Sequence, residues 1–76
     1  MRIRIEGHAD ATGVPETNWK LSGERAVAVK RYLMQSGIAP DRIETQGFGS
    51  TRPIASNATE AGRRLNRRIE FLILAK

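Results

Sequence analysis

A chain of 76 residues makes one small domain, and a domain of this size buries only about 60% of the surface its unfolded form exposes, so its stability is marginal. It has no cysteine and one histidine, which excludes thiol nucleophiles, zinc-thiolate sites and redox switches, and a single histidine cannot build a metal cluster alone. Thirteen Lys and Arg against eight Asp and Glu leave a formal net charge of +5, which favours acidic partners in general without choosing one.

In chain order, Ile3 and Ile5 alternate with Arg2, Arg4 and Glu6, the period-two pattern of a strand with one buried and one wet face, and Gly7 ends it. No apolar stretch approaches the ~20 residues a membrane helix requires, and Met1-Arg2-Ile3-Arg4 enters the strand without a signal-peptide pattern, so no membrane insertion by this chain is expected. From Ala11 to Asn18 the composition turns to loop chemistry, and Ser22 is placed to offer an N-cap oxygen to a helix. Ala26, Val29 and Leu33 recur at helical spacing, with Val27 and Tyr32 expected to widen the apolar stripe against Lys30 and Arg31. Gly37 ends that helix, and Ile38 could make the apolar contact of a Schellman stop. Pro40-Asp41 then turns the chain into a second strand over roughly residues 42–48, parallel to the first through a right-handed crossover. After a loop marked by Pro53, Asn57 and Glu60 have the spacing of a capping box opening a short helix over about residues 59–65. A last strand over about residues 67–74 is expected to bury Ile69, Phe71 and Ile73 on one face, while Leu72 and Leu74 make the other face apolar as well.

Two charged side chains frame the question of function. Asp10 lies in the Gly-punctuated run Gly7-His8-Ala9-Asp10-Ala11-Thr12-Gly13 after the first strand, and Arg25 lies in the first turn of the expected helix. A carboxylate that accepts from an ammonium, beside a guanidinium that grips a carboxylate, makes a receptor for a zwitterion, and a helix N-terminus adds to the attraction for an anion. On the residues alone the alternatives stay open: Arg25 can pair with Asp10 or Glu24, Asp10 can cap its own turn, and Asn18 can order the loop. Arg63, Arg64, Arg67 and Arg68, with a pI near 10.8, make a nucleic-acid-binding module the rival function. Against it, four aromatic residues are few for stacking bases, and no base-reading motif is present. No serine, histidine and acid share a catalytic signature, and Asp10 has no partner carboxylate in its motif, so neither an enzyme nor a cofactor is expected.

The run around Asp10, the segment Asn18-Trp19-Lys20-Leu21-Ser22 leading to Arg25-Ala26, Gly47-Phe48-Gly49 and Asn66-Arg67-Arg68-Ile69-Glu70 together resemble the OmpA C-terminal-like domain, also found in Pal and MotB proteins. The resemblance spans nearly the whole of residues 1–76 and implies an α+β fold, a two-layer α/β sandwich with a mixed sheet and a βαβ(α)β core. By that comparison the family's first strand and helix are absent, which points to an excised or engineered fragment with an open sheet edge that seeks a second copy as a homodimer. The resemblance also implies a periplasmic, non-catalytic binder of the diaminopimelate-containing stem peptide of peptidoglycan, anchoring an envelope protein to the cell wall. In that reading Asp10 meets the ligand's ammonium, Arg25 its carboxylate and Asn18 the peptide stem, while Arg67 sits beside the carboxylate or on the Asp10 side of the pocket. His8 is expected to orient the loop through a hydrogen bond, with no metal role. Trp19 matches the MotB-type wording or covers the core edge, and Ala9 stands where a threonine is commonest in the family. The alternative within this reading is a fragment that folds but retains no binding.

Overall fold

In the computed structural model, which describes residues 1–75, the alternating segment forms strand β1 (Arg2–Gly7), followed by helix α1 (Pro15–Gln35). A 3-10 turn at Pro40–Arg42 leads into β2 (Ile43–Gly47), and helix α2 (Glu60–Asn66) precedes β3 (Ile69–Ala75). The sheet order is β2-β1-β3, with β2 parallel and β3 antiparallel to β1. This is the mixed α+β sheet that the pattern of elements implies, with α1 laid over β1 and β2. No helix among the described residues is long and apolar enough to cross a membrane.

The core forms where the two periodicities meet. Ile5 and Ala26 are fully buried and Ile43 nearly so, with Ile3, Val29, Leu33 and Ile69 packed around them. The helix settles this closely because two strand ends carry no side chain: a Cβ on Gly7 would lie 1.9 Å from the Ser22 carbonyl oxygen, and one on Gly47 would lie 2.6 Å from the Gly23 amide nitrogen. The helix stops as its last residues indicate. Gly37 takes φ 101°, its amide donates to Met34 O at 3.0 Å, and Ile38 N donates to Leu33 O at 3.1 Å, which is the Schellman arrangement.

Four expectations need correction. Helix α1 starts at Pro15 rather than at a Ser22 cap, because proline at the first position already holds the helical φ and its missing N–H removes one unpaired donor. Ser22 is therefore deep inside the helix, fully buried, where its hydroxyl donates to Trp19 O (2.8 Å) and accepts from Gly49 N (2.9 Å). Thr59, not Asn57, caps α2, its Oγ1 accepting from Gly62 N at 3.0 Å from an extended backbone. Phe71 and Ile73 are not buried but 59% exposed, because α1 lies over β1 and β2 and leaves the matching face of β3 uncovered. Val27 and Tyr32 are likewise exposed, so the buried stripe of α1 is narrower than expected.

Candidate binding site

Asp10 is the focus. Its loop leaves β1 at Gly7 and is tied down from four directions. His8 N donates to Arg68 O (2.9 Å) and Ala9 N to Gly49 O (2.8 Å), so the first residues continue as an extension of the sheet between two other segments. Asn18, in the first turn of α1, donates through Nδ2 to Asp10 O (3.2 Å) and Thr12 O (2.9 Å). Asn57 Oδ1 accepts from Ala11 N at 3.2 Å, and the same oxygen accepts from Asn66 Nδ2 at 2.9 Å. The two asparagines thus close the loop onto both helices.

Held in this way, Asp10 is only 6% exposed, and its carboxylate takes its main hydrogen bonds from Thr12 and Arg67. Oδ1 accepts from Thr12 N at 2.8 Å, a side-chain turn of the kind aspartate favours, and Oδ2 accepts from Arg67 Nη1 at 2.5 Å. The Thr12 amide, and after it the Arg67 guanidinium, hold the carboxyl below its ordinary pKa against the opposing effect of burial. An ionised carboxylate offers about four acceptor positions, of which the Thr12 amide and Arg67 take two. Arg67 continues to Glu60 Oε1 at 2.7 Å, so it bridges two acids and is fixed in place.

A depressed folded pKa contributes stability that is present above the unfolded value of 3.8 and is lost as pH falls through the folded one. The native chain should therefore lose stability on acidification below about pH 4, and Asp10→Asn should lose less across that window. Glu60 and Glu70, lowered by Arg67 and Arg68, titrate in the same range, so the measurement is the difference between the two chains in urea midpoint against pH. Parallel curves would mean that Asp10 is not stabilised in its ionised form.

Arg25 stands apart from this cluster. The early start of α1 places it well past the first turn, so the helix-terminus attraction expected for it does not apply, since that effect fades within one turn. It is exposed, and among the described residues it makes no ion pair or hydrogen bond with Asp10 or Glu24. Arg25 follows Asn18 by seven residues, two helical turns, which sets both on one side of α1 about 10 Å apart along the axis. Long helical side chains lean toward the N-terminus, here toward the Asp10 loop.

The remaining motif residues serve the scaffold. Trp19 is half-exposed and lies against Gly49, whose φ of 57° makes a side chain strained and where an added Cβ would come within 3.1 Å of the Trp19 ring. Phe48 stacks on the His8 ring (centroids 5.4 Å apart, 12° between planes) and has the Arg52 guanidinium over its ring at 3.9 Å. His8 does not orient the loop through a hydrogen bond: it is 1% exposed, and among the described residues neither ring nitrogen has a hydrogen-bond partner. Burial, and after it Arg68, lower its pKa, while Glu70 and Glu6 pull the other way. Much of the basic run is engaged, Arg63 with Glu60 (3.2 Å), Arg67 with Glu60 and Asp10, and Arg68 with Glu70, which reduces the free charge a nucleic acid would meet. Asn66 is the residue that pattern reading passed over: it is fully buried and its amide makes four hydrogen bonds.

A groove of about 590 Å³ opens elsewhere, between α1 and β2, lined by Lys20, Glu24, Val27, Arg31, Thr45 and Gln46 among others. It holds none of Asp10, Asn18, Arg25 or Arg67. The candidate site at Asp10 combines fixed charge with an immobilised backbone.

Residues 1–67 match the OmpA family. The chain is 47% identical over 74 residues to outer membrane porin F of Pseudomonas fluorescens, covering 97% of this chain and 23% of that protein. It is 49% identical over 72 residues to the peptidoglycan-binding protein ArfA of Mycobacterium tuberculosis, covering 95% of this chain and 22% of ArfA. Among solved structures, the peptidoglycan-associated lipoprotein of Burkholderia pseudomallei superimposes with a TM-score of 0.90 at 34% identity, covering 93% of this chain and 60% of that one. The chain thus spans less than a quarter of these two curated relatives and somewhat over half of that solved structure.

Proposed function

The chain belongs to the OmpA family, and from that premise we propose that it binds the diaminopimelate-containing stem peptide of peptidoglycan without catalysing a reaction, anchoring an envelope protein to the cell wall on the periplasmic side. The observation that carries this reading is the division of labour around Asp10: a fixed, ionised carboxylate, and an unengaged guanidinium, Arg25, on the same side of α1 as the asparagine that holds the carboxylate's loop. Asp10 takes the ammonium, Arg25 the carboxylate, and Arg67 keeps Asp10 charged and oriented. Asn18 acts through the loop, since its amide already donates to two loop carbonyls. Two of the relatives are named for peptidoglycan, which supports the ligand class.

The test is an amide-resolved titration with a diaminopimelate-containing muropeptide, repeated with the lysine-type stem. Only the former carries the extra carboxylate, so it should bind more tightly, with shifts concentrated on residues 9–13 and around Arg25. Equal affinity for the two stems would sink the zwitterion model.

We further propose that this chain, taken alone, pairs with a second copy through β3. Among the described residues that strand pairs with β1 alone, and its Phe71 and Ile73 on one face and Leu72 on the other are 59%, 59% and 46% exposed, so an open edge has apolar residues on both faces. A two-fold pairing would satisfy the edge and cover the apolar residues together. Sedimentation at tens of micromolar should report a dimer that Leu72→Lys shifts toward monomer. A monomer at that concentration, or a dimer indifferent to the substitution, places the contact elsewhere.

A further inference from the structure

On the sheet face opposite α1, Glu6 of β1 and Glu70 of β3 are direct cross-strand partners, and His8 follows Glu6 by two residues on the same side. Like charges set opposite each other across a strand pair destabilise it unless something positive lies between them. Glu6 is 7% exposed, so its charge is not relieved by water, and His8 is buried with both ring nitrogens lacking a hydrogen-bond partner among the described residues. An imidazole always carries at least one N–H, and burying it unpaired is costly. Its Nε2 stands 3.8 Å from Glu6 Oε1 and 4.0 Å from Glu70 Oε2, too far for hydrogen bonds yet aimed at both acids.

One ligand atom from each of the three residues lies within 4.8 Å of the others. A tetrahedral ion with bonds of about 2.0–2.2 Å holds its ligand atoms about 3.4 Å apart, so each imidazole contact would shorten by well under 1 Å and the acid–acid separation by up to about 1.4 Å. The half-exposed Glu70 can supply most of that movement by rotating its side chain. Arg4 stands 3.7 Å from Glu6 Oε2, not the oxygen facing His8, as outer partners of metal-bound carboxylates do, whereas Arg68 bonds Glu70 Oε2, the oxygen that faces His8, so Glu70 must turn its other oxygen inward to reach the ion. Phe48 fixes the ring plane by stacking. The charges of Arg4, Arg52 and Arg68 oppose a cation and set a modest affinity.

We propose that Glu6, His8 and Glu70 form a binding site for a divalent transition-metal ion of the zinc class, with a fourth position open to water. Imidazole with two carboxylates suits such an ion better than magnesium or calcium, which prefer an all-oxygen shell. The ion would join β1 to β3 directly behind the binding loop, since His8 precedes Asp10 by two residues and Glu70 follows Arg67 by three. This inference stands independently of the peptidoglycan reading.

The chain's single histidine and lack of cysteine make the test unambiguous, because any imidazole coordination must be His8. The full chain is titrated with Zn²⁺, and in parallel with Mg²⁺, by calorimetry and by the imidazole nitrogen resonances. One Zn²⁺ per chain should bind with micromolar affinity, move the His8 resonances and raise the melting temperature by mass action, while Mg²⁺ does none of these. Glu70→Gln, at a half-exposed position that leaves the fold intact, should weaken Zn²⁺ binding about tenfold or more. His8→Gln should remove it. Absence of saturable Zn²⁺ binding, unmoved His8 resonances, or an affinity that Glu70→Gln leaves unchanged each overturns the proposal.

Discussion

Replacing Asn66 with alanine is expected to cost about 2–4 kcal/mol of folding stability, comparable to truncating a buried core side chain. Asn66 is fully buried at the end of α2, where its Oδ1 accepts from Ile54 N (2.8 Å) and Ala55 N (3.0 Å) and its Nδ2 donates to Ala55 O (3.0 Å) and Asn57 Oδ1 (2.9 Å). Alanine would strand these partners, each worth about 1–3 kcal/mol if left dry, and water entering the vacated space recovers only part of that. A 76-residue chain has about 4–11 kcal/mol in total, so the loss is a large fraction of what holds it folded. Urea denaturation monitored by Trp19 fluorescence would show a lower midpoint with an unchanged slope. A change below about 1 kcal/mol would mean that the 54–57 loop keeps its shape without this amide. Because Asn57 Oδ1 also accepts from Ala11 N, any surviving folded population should hold the Asp10 loop less firmly and bind ligand more weakly.

What was legible in the sequence follows the range of the interactions concerned. The core residues Ile3, Ile5, Ala26, Val29 and Leu33 declare themselves through local periodicity, and the stop at Gly37 through the conformation its backbone must adopt. The start of α1 was hidden because Thr12, Gly13, Thr17 and Asn18 are loop-forming types, and the one local signal for it, Pro15, reads equally as a turn residue. Ser22 imitates a cap. Only its contact with Gly49 N, across 27 positions of sequence, reveals a buried bridge. Alternation in β3 identifies a face but not whether anything covers it, and Phe71 and Ile73 lie beyond the reach of α1. At the site, the Asp10–Arg67 pair spans 57 positions, so only the family's motif order brought the two residues into one pocket in advance. The convergence of Glu6, His8 and Glu70 depends on strand register, which a motif scan does not supply.

Arg25→Ala is expected to weaken binding of the diaminopimelate stem by about 1.5–3 kcal/mol, the range for a hydrogen bond to a charged group, with the fold unchanged. Stability should hold because Arg25 is exposed, lies in the interior of α1, and gives way to the best helix former. Loss of affinity alone would not identify what Arg25 touches, since any nearby cation attracts an anionic ligand. The lysine-type stem resolves this, because it keeps the ammonium that Asp10 would hold and lacks only the carboxylate. Residue and ligand group then form a cycle in which contact shows as non-additivity. If Arg25 grips that carboxylate, the arginine-free chain should no longer distinguish the two stems, and changing residue and ligand together should cost little more than either change alone. If the discrimination survives intact in Arg25→Ala, another group holds the carboxylate, and Arg67 becomes the first to examine. In that case Arg67 would have to turn from Glu60 toward the ligand while keeping Asp10 ionised, and Glu60→Gln, which releases it, should tighten binding rather than leave it unchanged.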